Sequence, residues 1–480
     1  MNDRKGFGSN FGFLMAAVGS AVGLGNIWGF PNKMGANGGF PFLILYLALA
    51  LCCGVIIMLG ELALGRKTGH GAVGAYQSIS KRFKWLGWLG IAAAALIFSF
   101  YSALGGYCLR YVVVNFGNLI GAEFGTNGVG GAAVFQGLLI QPDVSIAFAL
   151  AFMLITMLVV MSGVGGGIER VCSVGMPALF FILIICIIRS CTLPGAVDGL
   201  KYMFVPGWAV ANGIIDEAPG FWRVLTAAGG QMFFSLSLGA GVMITYGSYL
   251  DKKQDLGKSA MIIVGMDTVV ALMAGLCVIP GRFALDPNGA LGGPELLFIT
   301  MQNVFDKMGP AGPVFGILFY LLVFFAAISS SISMLEVIVA HFCDKAREKG
   351  KGDRRKLYSA IAVVICAALC ALVCADGMGS NHISPAELLG LAGAKLPGWS
   401  TSWLGLFDSV AEGLLMPLGA LLMCLMISWE LKPDTLRQEI LLNGENRPWV
   451  YDFFRLCVKY ITPLCMLMIL YGQISDFFIV

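Results

Sequence analysis

The chain has 480 residues, of which 58% are hydrophobic and only 12% charged, with a formal net charge of +3. That charged share is about half that of an ordinary soluble domain; together with recurring apolar runs long enough for the ~20 helical residues of a bilayer crossing, it excludes a water-soluble enzyme. The runs are continuous and lack in–out alternation, which excludes a β-barrel, and the near-neutral charge leaves no footprint for nucleic acid. Taken in chain order, the runs predict eleven spanning helices at about 10–34, 39–65, 86–117, 144–163, 170–190, 221–249, 259–281, 313–344, 357–375, 404–430 and 451–474. The expected fold class is therefore an all-α integral membrane protein.

The loops between these runs sort by charge. One set carries Arg4, Lys5, Arg66, Lys67, Lys81, Arg82, Lys84, Arg170, Lys252, Lys253, Lys258, the basic run from Lys345 to Lys356, Lys432, Arg437 and Arg447. The alternate set carries few, among them Lys201, Lys307 and Lys395. Positive residues stay in the cytosol, so the amino terminus is expected there and, after eleven crossings of the cell membrane, the carboxyl terminus outside. No cleavable signal peptide is expected, because the chain enters its first apolar segment near Phe11 and continues. The 14 cysteines lie mostly inside apolar runs, as Cys52, Cys186, Cys277 and Cys424 do, and read as small packing residues. Cys366, Cys370 and Cys374 share a helical face, but no His or acidic residue completes a metal site within that segment. His70, His341 and His382 fall at loops or helix ends, and no nucleophile–base pair points to an enzyme.

The first and sixth spans share an anomaly. The first reads Ala21-Val22-Gly23-Leu24-Gly25-Asn26 at mid-depth, and the sixth reads Ser235-Leu236-Ser237-Leu238-Gly239-Ala240-Gly241. An odd number of crossings separates their starts, so a second copy of the first unit would lie inverted in the membrane. Matched interruptions in two halves point to an inverted-repeat transporter with its site at the breaks. An interrupted helix frees N–H and C=O groups that protein, water or ligand must satisfy; freed N–H groups attract a carboxylate and freed carbonyls attract cations. The competing reading, that these glycines only permit close helix packing, is weakened by the polar flanks Asn26, Ser235 and Ser237.

At these residues the chain resembles the neurotransmitter:sodium symporter family in its prokaryotic eleven-helix form. The resemblance rests on Gly19-Ser20-Ala21-Val22-Gly23-Leu24-Gly25-Asn26-Ile27-Trp28-Gly29-Phe30-Pro31, Glu61-Leu62-Ala63-Leu64-Gly65-Arg66 and Phe233-Phe234-Ser235-Leu236-Ser237-Leu238-Gly239. It continues through Ile244-Thr245-Tyr246-Gly247-Ser248-Tyr249 and Phe325-Ala326-Ala327-Ile328-Ser329-Ser330-Ser331-Ile332 and covers nearly the whole chain. It implies a 5+5 inverted repeat, with residues 10–190 as the first copy, 221–430 as the second, broken spans one and six, and 451–474 as an extra helix.

The resemblance further implies two sodium sites. One would use the Gly19, Val22 and Ala326 carbonyls with the Ser329 and Ser330 hydroxyls, an all-neutral oxygen set suited to a hard cation that must also leave. The other would use the Ala21 carbonyl, Asn26, Ser235, Asp267 and the carboxylate of the substrate. Asp267 stands out on its own chemistry: a carboxylate inside a span costs roughly 2.5–3.5 kcal/mol on insertion scales, which makes it a functional candidate. Chloride-dependent relatives carry Asn at that place and Ser one turn later, where this chain has Ala271; a fixed carboxylate supplies the charge, and chloride is not expected.

The implied substrate is a free amino acid, its carboxylate met by the Leu24 and Gly25 amides and Tyr101, its ammonium by carbonyls near Ala21, Phe234 and Ser235. Ile97, Phe234, Ser237, Ala240, Ser330 and Met334 would line an apolar side-chain pocket without a charged partner, which disfavours charged substrates. Ala240 is small where relatives often carry Phe or Met, so a bulky hydrophobic or aromatic side chain is expected. Arg4 and Asp344 match the family's cytosolic gate, beside Phe7, Ser248 and Tyr249. Relatives read Trp-Arg-Phe-Pro where this chain reads Trp28-Gly29-Phe30-Pro31; Asp408, the usual outer partner, either pairs with Lys33 or stays unpaired under a Phe234–Tyr101 lid. Glu61 would support unwound backbone or simply reach water. The expected function is sodium-coupled import of a neutral amino acid, with no obligatory protein partner; a binding-only sensor of the same fold is the alternative, and a channel lacks the continuous polar pore it needs.

Overall fold

The computed structural model describes residues 6–126, 128–288, 293–391, 396–431, 435–441 and 448–478. Every regular element among them is helical. In chain order they are α1 (Asn10–Ala21), α2 (Gly25–Ala36), α3 (Phe40–Thr68), α4 (Lys81–Ile120), α5 (Pro142–Met161), α6 (Val164–Cys191), α7 (Phe221–Leu236), α8 (Val242–Gly247), α9 (Leu256–Leu285), α10 (Gly309–Glu348), α11 (Arg355–Asp376), α12 (Trp403–Glu430) and α13 (Pro448–Phe478).

Among the described residues nine of these are long and apolar enough to cross a bilayer, and the α1–α2 pair, bent by 43°, makes a tenth. α7 has 16 residues and α8 only 6, so neither reaches the ~20 that a crossing needs. Short helices at Ala72–Ile79, Gly130–Leu139, Ala196–Phe204 and Met301–Asp306 occupy segments that the apolar runs leave as loops. A search for bilayer-length runs passes over helices of two or three turns.

α4 and α10 run along each other at the centre, with α5 packed on α4. Glycine lets these helices approach: a side chain started on Gly106 would stand 2.6 Å from the Ala149 backbone nitrogen of α5. α1 lies against α6, α9 and α10, and α2 against α7 and α9, so both ends of the first interruption are enclosed by other helices.

The two interruptions have different local causes. α1 ends where Val22 turns extended, at φ −75° and ψ 99°, and the helix resumes at Gly25. Between α7 and α8, Ser237, Gly239 and Gly241 have positive φ of 53°, 79° and 74°. Three left-handed residues within five positions cannot continue a right-handed helix, and only Ser237 among them carries a side chain.

Candidate functional site

The interruptions face each other. The Ser237 hydroxyl donates to the Ser20 carbonyl at 3.1 Å, and Ser330 of α10 donates to the same oxygen at 3.0 Å. The backbone groups freed by the breaks are taken up by side chains from elsewhere in the chain. The Leu24 N–H goes to the Tyr101 hydroxyl at 2.6 Å, the Gly25 carbonyl accepts from Gln231 Nε2 at 2.6 Å, and the Gly239 N–H goes to Glu61 Oε1 at 2.7 Å. Each partner lies on a different helix, so loss of any one leaves a buried peptide group unpaired within the membrane. Glu61 therefore supports unwound backbone and does not reach out to water.

Oxygen atoms gather on either side of the first break. On one side Ser329 Oγ stands 3.4 Å from the Val22 carbonyl and 3.0 Å from the Ala326 carbonyl, and Ser330 Oγ stands 3.4 Å from the Gly19 carbonyl. Ligands ~2.4 Å from one hard cation and at right angles sit ~3.4 Å apart. The spacing fits a small cation between α1 and α10, and nothing in the set would have to deprotonate. On the other side Asp267, fully buried, accepts from Asn26 Nδ2 at 2.8 Å, from Ser235 Oγ at 3.0 and 2.9 Å, and from Tyr46 at 3.1 Å. Asn26 Oδ1 accepts from the Gly23 N–H at 3.1 Å, which ties this carboxylate to the break itself. Ala21, the last residue of α1, is buried between the two groups. Among the described residues no cluster of three or more His, Cys, Asp or Glu could hold a metal; both oxygen sets rest on carbonyls, hydroxyls, an amide and one carboxylate.

The residues named for the side-chain pocket, and Tyr101 named for the carboxylate, are all nearly enclosed. Ile97, Tyr101, Ser237, Ala240, Ser330 and Met334 are each at most 4% exposed, and Phe234 is 8% exposed. The Tyr101 and Phe234 rings lie 6.3 Å apart, as two halves of a lid would. The hydroxyls of Ser237 and Ser330 are both committed to the Ser20 carbonyl.

Arg4 lies outside the described residues. Asp344 accepts from the Gly71 N–H at 3.0 Å and has Arg347 at 3.8 Å. Tyr249 instead donates to Glu336 at 2.6 Å, and Arg355 clamps that carboxylate with two nitrogens at 2.6 and 3.0 Å. Phe7 lies edge-on to Phe13, Tyr246 and Tyr249, and Glu169 at the head of α6 accepts from the Gly8 N–H and the Ser9 hydroxyl. Lys33 pairs with Glu412, one turn along α12 from Asp408. The reason is geometric: Ser409–Leu415 forms a wide π-helical turn that leaves Glu412 facing α2. Gln231 stands beside Gly29, where a side chain would begin 2.9 Å from its Oε1.

Sequence reasoning passed over Tyr46, Gln231, Glu336, Arg355 and Glu412. Glu336 and Glu412 carried a readable signal, an acid inside an apolar span; Tyr46 and Arg355 look like an ordinary aromatic and an ordinary cytosolic charge.

The sodium:neurotransmitter symporter family matches residues 4–125 and 136–478. The uncharacterized sodium-dependent transporter YhdH of Bacillus subtilis is 37% identical over 477 residues, 97% of each chain. A sodium-dependent transporter of Methanocaldococcus jannaschii, MJ1319, is 30% identical over 459 residues, 91% of this chain and 84% of that one. The crystal structure of MhsT in complex with L-phenylalanine superposes with a TM-score of 0.83 at 34% identity, over 98% of this chain and all of that one (100%). With a family match over nearly its whole length and relatives at 30–37% identity, the chain belongs to the sodium:neurotransmitter symporter family of membrane-embedded, sodium-dependent transporters.

Proposed function

We propose that the chain is a symporter that carries a neutral, bulky hydrophobic or aromatic amino acid into the cell with sodium, by alternating access. The observation that carries this reading is the Asp267–Asn26–Ser235 cluster beside the Leu24 N–H and Tyr101. A cation held there has room for one more anionic ligand, and the carboxylate of an amino acid lying against Leu24 and Tyr101 supplies it. Sodium and substrate then complete each other's sites, which couples them directly. A second sodium, at Gly19, Val22, Ala326, Ser329 and Ser330, would hold α1 against α10 until release.

α7 and α8 would be the two halves of one further crossing, bringing the count to eleven, and residues 10–190 and 221–430 would be inverted copies. With the amino terminus in the cytosol, the Tyr249–Glu336–Arg355 network closes the inner face and Lys33–Glu412 the outer one. Asp267 would provide the fixed charge that makes chloride unnecessary. The absence of a large residue at Ala240 and the L-phenylalanine in MhsT support an aromatic or large aliphatic substrate. Gly29, in place of the outer-gate Arg of relatives, favours one other reading, a binding-only sensor. Melting of the purified protein with each of the twenty amino acids, in sodium and in potassium, followed by uptake into proteoliposomes, tests both. A symporter shows sodium-dependent stabilisation and gradient-driven uptake; stabilisation without uptake leaves the sensor, and equal binding in potassium removes the coupling.

A further inference from the structure

The last helix, α13, stands outside both proposed repeats, yet one of its side chains enters the outer closure. Gln473 lies one turn from the end of α13, wedged between α7 and α12. Its Nε2 donates to the Thr226 carbonyl of α7 at 3.2 Å. A side chain started on Gly230 of α7 would stand 2.8 Å from that same Nε2 and 2.8 Å from Glu412 Oε1, with Lys33 Nζ at 3.7 Å. One started on Gly413 of α12 would stand 3.2 Å from Gln473 Oε1. Two glycines therefore open the space in which the amide, the carboxylate and the ammonium converge. These groups lie along a cleft of about 280 Å³ that Asp408, Arg223 and Asp476 also line.

An amide has two N–H donors. One is used on Thr226; the other has the Glu412 carboxylate as its neighbour. Glu412 follows Asp408 by one turn, so two acids face a single ammonium on this wall of the cleft, and either could take Lys33. A neutral donor beside Glu412 can aim its carboxylate at Lys33 without adding a competing charge. We infer that Gln473 is a positioning residue of the outer gate: it holds Glu412 in place for Lys33 and links the closing movement of α7 to α13. The inference rests on the reading of Lys33–Glu412 as the outer gate, and its consequence is that the helix beyond the repeats takes part in occlusion.

The test is a double-mutant cycle on the full-length protein, with Gln473→Ala, Glu412→Gln and both together. Release of tritiated L-phenylalanine in sodium is followed after dilution, and melting of all four proteins in sodium gives a readout that needs no substrate. Gln473→Ala should speed release about fivefold in the wild-type background, the scale of one ordinary polar contact, and add nothing once Glu412 is Gln. The two melting shifts should likewise be less than additive. Gln473→Glu, which sets a third carboxylate in the cluster, should speed release further than Gln473→Ala. Equal effects of Gln473→Ala in both backgrounds, or additive melting shifts, would make Gln473 a packing residue and overturn the inference. If Glu412→Gln leaves release unchanged while the melting shifts remain coupled, it is the gate reading that falls, and the Gln473–Glu412 contact stands without a role in occlusion. If the wild type retains no phenylalanine, the melting cycle decides the contact alone.

Discussion

The Asn26 amide donates to Asp267 Oδ1 at 2.8 Å, which fastens the start of α2 to the middle of α9. Ser235, just before the second break, and Tyr46 of α3 donate to the same carboxylate. One buried acid of α9 thus gathers donors from three other helices, and its charge is held by hydrogen bonds and the proposed cation together.

That charge gives a first prediction. Sodium-driven uptake by the wild type should be unchanged when gluconate replaces chloride. Asp267→Asn removes the fixed charge and turns one of the two acceptor oxygens into a donor. Uptake by this variant in gluconate should drop tenfold or more, an order-of-magnitude figure for charge-assisted hydrogen bonds. Wild-type uptake that collapses in gluconate would count against a fixed-charge role for Asp267.

Glu61 gives a second. Its Oε1 is the acceptor for the Gly239 N–H within the second break. Glu61→Ala leaves that peptide group unpaired and should destabilise the protein by about 1–3 kcal/mol, with a larger loss of sodium binding than of helix content. Glu61→Gln keeps an acceptor oxygen and should melt close to wild type. Circular dichroism and thermal melts of the two variants check the ordering; equal melting of the Ala and Gln forms would remove Glu61 as the support of the break.

Ala240 sets a third. Added bulk at this fully buried position should act on the size of the substrate more than on stability. In Ala240→Phe, stabilisation by aromatic amino acids should fall about tenfold in affinity relative to that by alanine or valine, a figure in line with one or two misplaced methylene-sized contacts. An unchanged order of preference would show that position 240 does not line the pocket.

The inner closure sets a fourth. Glu336 is fully buried, accepts from Tyr249 and pairs with Arg355. Glu336→Gln leaves the Arg355 guanidinium largely buried without its countercharge, which costs roughly 3–5 kcal/mol when a buried pair is broken. The cytosolic face should then open more often. Cys172, whose sulfur would lie 3.3 Å from a side chain begun on Gly19, reports that opening from beside the proposed second sodium. Alkylation of Cys172, read peptide by peptide by mass spectrometry, should rise several-fold in the variant and be suppressed by sodium. A labelling rate equal to wild type would take Glu336 out of the closure.

Much of this was legible in the linear chain. Helices in a membrane must satisfy their own peptide groups, so apolar length alone located the spans near 39–65, 86–117 and 313–344, which fold as α3, α4 and α10. Glycine beside polar residues at mid-depth marked both interruptions: Gly239 takes a positive φ, while Gly23 and Gly25 leave room for Ser330, Tyr101 and Phe234 to come close. A carboxylate in a span, as at Asp267, announced itself by the energy of placing it.

Tertiary structure alone decided which side chains answer the freed peptide groups. Tyr101 is 77 residues from Leu24, Glu61 is 178 from Gly239 and Gln231 is 206 from Gly25, and no local pattern encodes contacts at such separations. It likewise decided that Lys33 pairs with Glu412, which lies one turn beyond Asp408 in the widened turn of α12. The amino-acid order fixes how far a segment must be buried and where it cannot stay helical; the pairing of charges across helices depends on rotation and approach, which only the packed assembly of all the spans sets.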